Sequence, residues 1–209
     1  RKKNPQCDVV LMSGTPEPID WMFEKDYLGD YVTLDVYDQC IHLVPDWVAM
    51  MQRDVVAQRL YDLWRRGKRV IYFASTVRNM SNLIRQLEVL GVPERDLGIA
   101  YSQSDNENLL PRRLVEERMA LRAHLISEQR IPENVKIFIT TAQNKEGISI
   151  IDDDIRYMFS ESKNKAELEQ MAGRVRGNPE TGKGLHMLVV VYDAETPWCE
   201  DNFLSQELD

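Results

Sequence analysis

Short apolar runs alternate with amphipathic stretches along most of the chain. Continuous runs of β-branched and aromatic residues bounded by turn residues predict strands, and apolar positions at helical spacing predict helices. The predicted strands are 8–12, 31–36, 69–74, 97–101, 135–141, 154–160 and 185–193. The predicted helices are 46–66, one that Ser75 or Thr76 caps and that ends near Gly91, 111–129 and 165–176. Residues 19–27 form a short amphipathic stretch.

Strands separated by helices imply right-handed crossovers and a mainly parallel sheet. The strand at 69–74 is apolar throughout, as expected of a strand buried on both faces. The pattern therefore predicts a three-layer α/β domain with helices on both faces of the sheet. In such sheets the loops at the carboxyl ends of the strands carry the functional groups.

Composition narrows the possible partners. The chain has 209 residues, 43% of them hydrophobic and 29% charged, as in ordinary globular proteins. A net charge of −8 argues against a broad electropositive surface, so any contact with nucleic acid must be local or shared with other parts of the protein. No apolar run reaches the roughly 20 residues of a membrane span, no signal segment is visible, and three scattered cysteines favour a reducing compartment. The start at Arg-Lys-Lys without Met predicts a fragment of a longer protein.

The stretch GNPETGKG, 177–184, looks like a phosphate-binding loop. That loop requires Ser or Thr after the lysine to hold magnesium, and Gly184 stands there. A phosphate-binding loop also follows a strand and precedes a helix. The stretch 177–184 instead follows a predicted helix and precedes a predicted strand. The similarity of 150–153 to a magnesium-binding strand end is better explained by a turn, and the three histidines are too scattered for a metal site.

Four segments stand in a distinctive order: SGTP at 13–16, FAST at 73–76, TTAQNKEGISI at 140–150 and QMAGRVRG at 170–177. This order resembles motifs III to VI of superfamily 2 helicases, whose two RecA-like domains clamp ATP between them and nucleic acid across them. The resemblance covers about residues 8–193. It implies that 1–36 is the end of a first RecA-like domain with a linker, that 37–193 is a C-terminal RecA-like domain, and that 194–209 begins a further segment or tail.

The resemblance implies an arginine finger at Arg174, which would reach ATP on the first domain. The family places a second arginine three residues later, where this chain has Gly177, and Arg176 stands one residue earlier. At about 100° per helical residue, Arg176 would point about 160° away from Arg174. Arg176 can therefore replace the missing finger only if the helix has already ended, and the alternative is that it complements the helix C-terminus.

The nucleotide side of the site follows from the same resemblance. It implies that Gly147, Ser149, Gln170 and Gly173 lie near the nucleotide, with Ser149 where many relatives have an acidic residue. ATP and Mg²⁺ would be bound mainly by the missing first domain. The alternative for Gly147 is a glycine turn that joins two strands.

Hydroxyl residues in the loops are candidates for phosphate contacts. The resemblance implies that Ser75, Thr76, Ser102 and Thr141 touch the nucleic-acid backbone, with DNA expected rather than RNA. The alternative for Thr76 and Ser102 is helix capping and turn formation. Ser13 and Thr15 would couple the two domains.

The expected function is the C-terminal half of an ATP-dependent helicase or translocase. Its partners would be nucleic acid and the first RecA-like domain, with no membrane, in the cytoplasm or at the nucleoid. Without the first domain the chain should not hydrolyse ATP, because it has no phosphate-binding lysine loop of its own. The alternative is a non-catalytic RecA-like module that regulates or binds another protein.

Overall fold

The computed structural model describes residues 47–101, 107–141, 150–176 and 185–193. The strands are β1 (Trp47–Gln52), β2 (Arg69–Ala74), β3 (Leu97–Ala100), β4 (Ile137–Thr141), β5 (Ile150–Ile151), β6 (Ile155–Ser160), β7 (Val175–Arg176) and β8 (Met187–Tyr192). The α-helices are α1 (Arg53–Arg65), α2 (Val77–Val89), α3 (Arg112–Glu128) and α4 (Lys165–Ala172), and Glu94–Asp96 and Glu107–Leu109 form 3₁₀ turns. The chain divides into the units Arg1–Cys40 and Ile41–Asp209, and the described residues all belong to the second.

Six of these strands form one parallel sheet in the order β1-β8-β6-β2-β4-β3. β2 lies inside it, with Phe73 opposite Thr140 of β4 and opposite Ser160 of β6. The short strands β5 and β7 form a separate parallel pair. Because all six strands of the large sheet run in one direction, their carboxyl ends share one edge.

Two apolar cores lie on the two faces of the sheet. Alternate residues of β2 point to opposite faces, so Val70, Tyr72 and Ala74 enter one core while Ile71 and Phe73 enter the other. Buried side chains of α1 and α2 complete the first core, and those of α3 and α4 contribute to the second. The predicted three-layer α/β architecture and the prediction that β2 is buried on both faces are confirmed.

The predicted helix at 46–66 is wrong in its first part. Its first residues form β1, which pairs with β8 from Trp47 opposite Met187 to Gln52 opposite Tyr192, and the helix begins only at Arg53. Val48 and Met50 are exposed while Ala49 and Met51 pack against the core, which is the two-residue alternation of an edge strand. The strand conformation of 47–52 depends on pairing with β8, about 140 residues away in the sequence. The local spacing of apolar residues could not predict this pairing.

The predicted helix at 165–176 is also too long. α4 ends at Ala172, Gly173 forms its C-cap, and Val175–Arg176 pairs with β5. Arg174 therefore lies in the turn between α4 and β7, and the angular relation predicted between Arg174 and Arg176 on one helix does not apply.

Other predicted boundaries agree to within a few residues. Gly67 and Gly91 follow α1 and α2 with φ of 67° and 96°, the left-handed region that favours glycine after a helix. Within the described ranges no helix is long and apolar enough to cross a membrane. The predicted elements at 8–12, 19–27 and 31–36 lie outside those ranges.

Candidate nucleotide and nucleic-acid interface

Polar side chains collect at the carboxyl edge of the large sheet. Ser75 follows β2, Thr141 ends β4, Glu161 follows β6, Asp193 follows β8, and Arg53 opens the helix after β1. The parallel topology brings them together, because each stands where its strand reaches the same edge.

Glu161 is the centre of this group. Its side chain is only 1% exposed. Its Oε2 accepts hydrogen bonds from the Ser75 amide at 2.8 Å, the Ser75 hydroxyl at 2.6 Å and the Asn79 side-chain amide at 2.8 Å. Its Oε1 accepts from the Tyr72 hydroxyl at 2.7 Å and from the Arg53 guanidinium. Both carboxylate oxygens are thus bound by donors from three other elements.

The electrostatics of this group follow from burial and hydrogen bonding. Burial alone would raise the pKa of Glu161, but the donors of Ser75, Tyr72 and Asn79 outweigh burial and hold that pKa below its ordinary value. Burial, together with the neighbouring Glu161 charge, raises the pKa of the Tyr72 phenol. Arg53 also binds Asp193 and lowers the pKa of that carboxyl. Glu161 is therefore an ionised internal carboxylate at neutral pH.

Thr76 is the N-cap of α2. Its backbone is extended, and its Oγ1 accepts a hydrogen bond from the Asn79 amide at 3.1 Å. This confirms the predicted capping role. The side chain is exposed at the carboxyl edge, and its contact with nucleic acid stays a prediction.

Thr141 differs from Thr76 in burial. It is 4% exposed, lies opposite Ala74 in the register of β4 and β2, and its Oγ1 has no hydrogen-bond partner among the described residues. A buried hydroxyl without a partner loses free energy relative to one in water. Thr141 is therefore a polar atom held at the carboxyl edge for which the described fold supplies no acceptor or donor.

The Arg174 region is assembled by β5 and β7. The Arg174 amide donates to the Met171 carbonyl at 3.1 Å, and the Arg174 carbonyl accepts from the Ile150 amide at 2.8 Å. Ile150 and Ile151 pair with Val175 and Arg176. The structure thus places the end of the 140–150 segment directly against Arg174.

The remaining residues of this region have ordinary backbone geometry. Arg174 is half-buried, and Gln170 and Gly173 are exposed. Gly173 has φ of −64°, and a Cβ there would lie 3.2 Å from the Glu169 carbonyl oxygen. A side chain at this position would thus be tight against that carbonyl, and the backbone angle itself does not call for glycine.

A second buried ion pair anchors β5. Arg69, the first residue of β2, donates to Asp152 Oδ2 at 2.9 Å and to the carbonyls of Ile131 and Pro132 at 2.6 and 3.1 Å. Asp152 directly follows β5, and the Ile151 amide donates to the Gln129 carbonyl at 2.6 Å. The β5–β7 pair is thus fixed beside the amino-terminal end of β2, whereas Glu161 and Ser75 lie at its carboxyl-terminal end.

Several predicted site residues fall outside the described ranges, namely Ser13, Thr15, Ser102, Gly147, Ser149 and the side chain of Arg176. Across the described ranges no group of three metal-ligating side chains occurs. Sequence reasoning missed Arg53, Tyr72, Glu161 and Asp193. The position of Glu161 and Asp193 immediately after strands was a usable signal, but the incorrect helix at 46–66 hid Arg53.

Neither a protein-family model nor a curated protein matches the sequence. Solved structures do match. Dbp5 L327V of S. cerevisiae, bound to RNA and ADP BeF3, aligns with 14% identity and a TM-score of 0.55 over 90% of this chain and 45% of that one. Cas3 of T. fusca with ATP aligns with 17% identity and a TM-score of 0.50 over 79% of this chain and 20% of that one.

The chain therefore spans less than half the length of either structure. At these identities the similarity establishes the fold. The six-stranded parallel sheet with helices on both faces is the RecA-like architecture that the resemblance implied.

Proposed function

We propose that the chain is the C-terminal RecA-like domain of an ATP-dependent superfamily 2 helicase or translocase, and that Arg174 is its arginine finger. The observation that carries this proposal is the hydrogen bond from the Ile150 amide to the Arg174 carbonyl, together with the β5–β7 pairing. These contacts join two segments, TTAQNKEGISI and QMAGRVRG, that resemble the nucleotide-facing motifs of that family. The RecA-like fold, shared with structures that hold ATP or ADP BeF3, supports the same assignment.

Hydrolysis of ATP requires a positive charge close to the transferred phosphate in the transition state. Phosphoryl transfer is catalysed mainly by positioning and by stabilising negative charge on the transferred group. A first RecA-like domain would hold ATP and supply Mg²⁺, whose charge neutralises the phosphate oxygens. Arg174 would bring its guanidinium to the phosphate when the two domains close. Its backbone is fixed by the hydrogen bond to β5, and its side chain is only half-buried, so it can reach a neighbouring domain. Closure and hydrolysis would thereby be coupled.

The nucleic-acid track lies at the carboxyl edge in this proposal. Thr76 and Thr141 would meet the phosphate backbone, and Ser102, which follows β3 in the sequence, would contribute a further hydroxyl. Contacts of this type fix position without reading sequence. The sequence favoured DNA, whereas one of the similar structures holds RNA, so both belong in the test.

The decisive experiment measures ATP hydrolysis by the full natural protein with single-stranded DNA, double-stranded DNA and RNA as stimulants. We expect Arg174→Ala to lower the stimulated rate by about 10³-fold or more, the range reported for arginine fingers. Binding of a fluorescent ATP analogue should remain within about twofold of wild type, because the finger acts in the transition state. Arg122→Ala, at an exposed arginine of α3, is the matched control.

Two further results separate the alternatives. Arg176→Ala should reduce turnover strongly if Arg176 replaces the second arginine, and only slightly if Arg176 serves only as a residue of β7. A natural protein with no stimulated hydrolysis at all would instead favour the non-catalytic module, which Gly177 at the place of an arginine and the net charge of −8 support. Hydrolysis by the 209 residues alone would contradict the proposal.

A further inference from the structure

The donors around Glu161 form an anion site. The Ser75 amide, the Ser75 hydroxyl and the Asn79 side chain converge on one oxygen at the start of α2. Backbone amides at a helix N-terminus, hydroxyls and guanidinium groups are the ligands that proteins use for phosphate and carboxylate. Here the chain's own carboxylate occupies that place.

Occupation by Glu161 changes the role of Ser75. Both of its donors are committed to Oε2, and Asn79 also donates to the Ser75 hydroxyl oxygen at 2.9 Å. A phosphate could use these donors only by displacing a side chain that is 1% exposed. Ser75 is thus part of an internal brace between β6 and the turn from β2 to α2.

The brace does not present a bare negative charge to the edge. Arg53 and Tyr72 bind Oε1, and Arg53 also binds Asp193, which is 49% exposed. The guanidinium offsets the Glu161 charge locally. A carboxylate buried in this way can fix a loop close to nucleic acid without repelling the phosphate backbone.

We propose that Glu161 is a positioning residue of the nucleic-acid edge: it holds the turn from β2 to α2 so that the exposed Thr76 faces the phosphate backbone. Ser75 acts through Glu161 and does not bind phosphate itself. This inference rests on the proposed function, and it names residues that the helicase resemblance does not.

The test is made on the full natural protein. It measures the concentration of oligothymidylate or oligouridylate at which stimulation of ATP hydrolysis is half-maximal. Glu161→Gln keeps the shape but cannot accept from all five donors, so we expect the half-saturating concentration to rise about tenfold. The rate at saturating oligonucleotide should change less than about twofold, because the brace orders the edge and does not touch ATP. Equal losses in both parameters would overturn the positioning role.

A matched control separates positioning from general loosening. Asp152→Asn alters another buried carboxylate that is paired with an arginine, but at the opposite end of β2. We expect it to lower stability while the half-saturating concentration stays within about twofold of wild type. A similar shift in Asp152→Asn and Glu161→Gln would overturn the proposal.

A double-mutant cycle decides the role of Ser75. If Ser75 acts through Glu161, the effect of Ser75→Ala should largely disappear in the Glu161→Gln background. Additive effects would show that Ser75 touches phosphate directly. Ser75→Ala is also the milder variant if Glu161→Gln does not fold.

Hydrogen exchange keeps the two proposals distinguishable. Without nucleic acid, amides of 74–80 should exchange about tenfold faster in Glu161→Gln, as expected for a loosened turn. Faster exchange with unchanged half-saturation would overturn the positioning role alone, and unchanged exchange would overturn the brace. A wild-type protein that binds no oligonucleotide would overturn the proposed function as well.

Discussion

At the amino-terminal end of β2, Arg69 lies in a closed site in which Asp152 and three backbone carbonyls accept from its guanidinium. At the carboxyl-terminal end, Glu161 is equally buried, but its arginine partner Arg53 is 35% exposed and reaches outward to Asp193. The first pair holds backbone segments together inside the fold. The second connects the core to partly exposed side chains at the carboxyl edge of the sheet. One strand thus carries a structural ion pair and a candidate functional one.

The largest expected effect is at the closed end. Arg69→Met removes the partner of a buried carboxylate and the donors to the loop carbonyls, so we expect a loss of about 3–5 kcal/mol in the free energy of unfolding. Urea unfolding followed by circular dichroism measures this loss. Lys68→Met, at the exposed neighbour, should stay within about 0.5 kcal/mol of wild type. A loss below about 1.5 kcal/mol for Arg69→Met would contradict the role of the pair as an anchor.

A smaller effect is expected at the open end. Arg53→Met leaves Glu161 with the donors of Ser75, Tyr72 and Asn79, and Arg53 is already partly solvated. We expect a loss of about 1–2 kcal/mol in the same urea experiment. If Arg53→Met lost as much unfolding free energy as Arg69→Met, the two ion pairs would contribute equally to stability and the comparison would be wrong.

Acid should weaken the open end specifically. The pKa of Glu161 in the fold lies below its ordinary value of 4.5, so the charged form stabilises the fold above that pH. This stabilisation disappears as the pH falls through the lowered pKa. The difference in unfolding free energy between wild type and Glu161→Gln should therefore shrink from about pH 5 downward. A difference that is constant down to about pH 3 would contradict an ionised Glu161 as the source of this stability.

The outer carboxylates should contribute least. Asp193 is 49% exposed beside Arg53, and Asp154 is 78% exposed at 3.8 Å from Arg69. We expect Asp193→Asn to lower the unfolding free energy by less than about 1 kcal/mol and Asp154→Asn by less than about 0.5 kcal/mol. Thermal unfolding at low and high salt checks both values. A larger loss in Asp154→Asn than in Asp193→Asn would reverse the comparison.

The interior of the fold could be predicted from sequence because its signals are local. The apolar run of β2, the capping Thr76 and the turn glycines Gly67 and Gly91 each act through neighbouring residues. β1 and the end of α4 could not be predicted in this way. Their conformations depend on pairing with β8 and β5, and Val48, Met51 and Val55 imitate helical spacing by chance.

The candidate site divides in the same manner. Ser75, Thr76, Thr141 and Arg174 could be named from motifs, and the structure places the first three at one edge. The brace could not be named, because Arg53, Tyr72 and Glu161 are separated by up to 108 residues and meet only through the order of strands. The spacing of these residues along the chain therefore does not predict that they are in contact.

The position of β1 has a consequence for how the protein folds during synthesis. Among the described strands β1 pairs only with β8, so Trp47–Gln52 must wait until Met187–Tyr192 has left the ribosome. Until then the edges of β1 and β6 that pair with β8 stay open to other chains. Contacts so distant in sequence make folding slow and the waiting chain prone to aggregation. The described sheet and the Arg53–Asp193 contact can therefore be completed only after β8 and Asp193 have been synthesised.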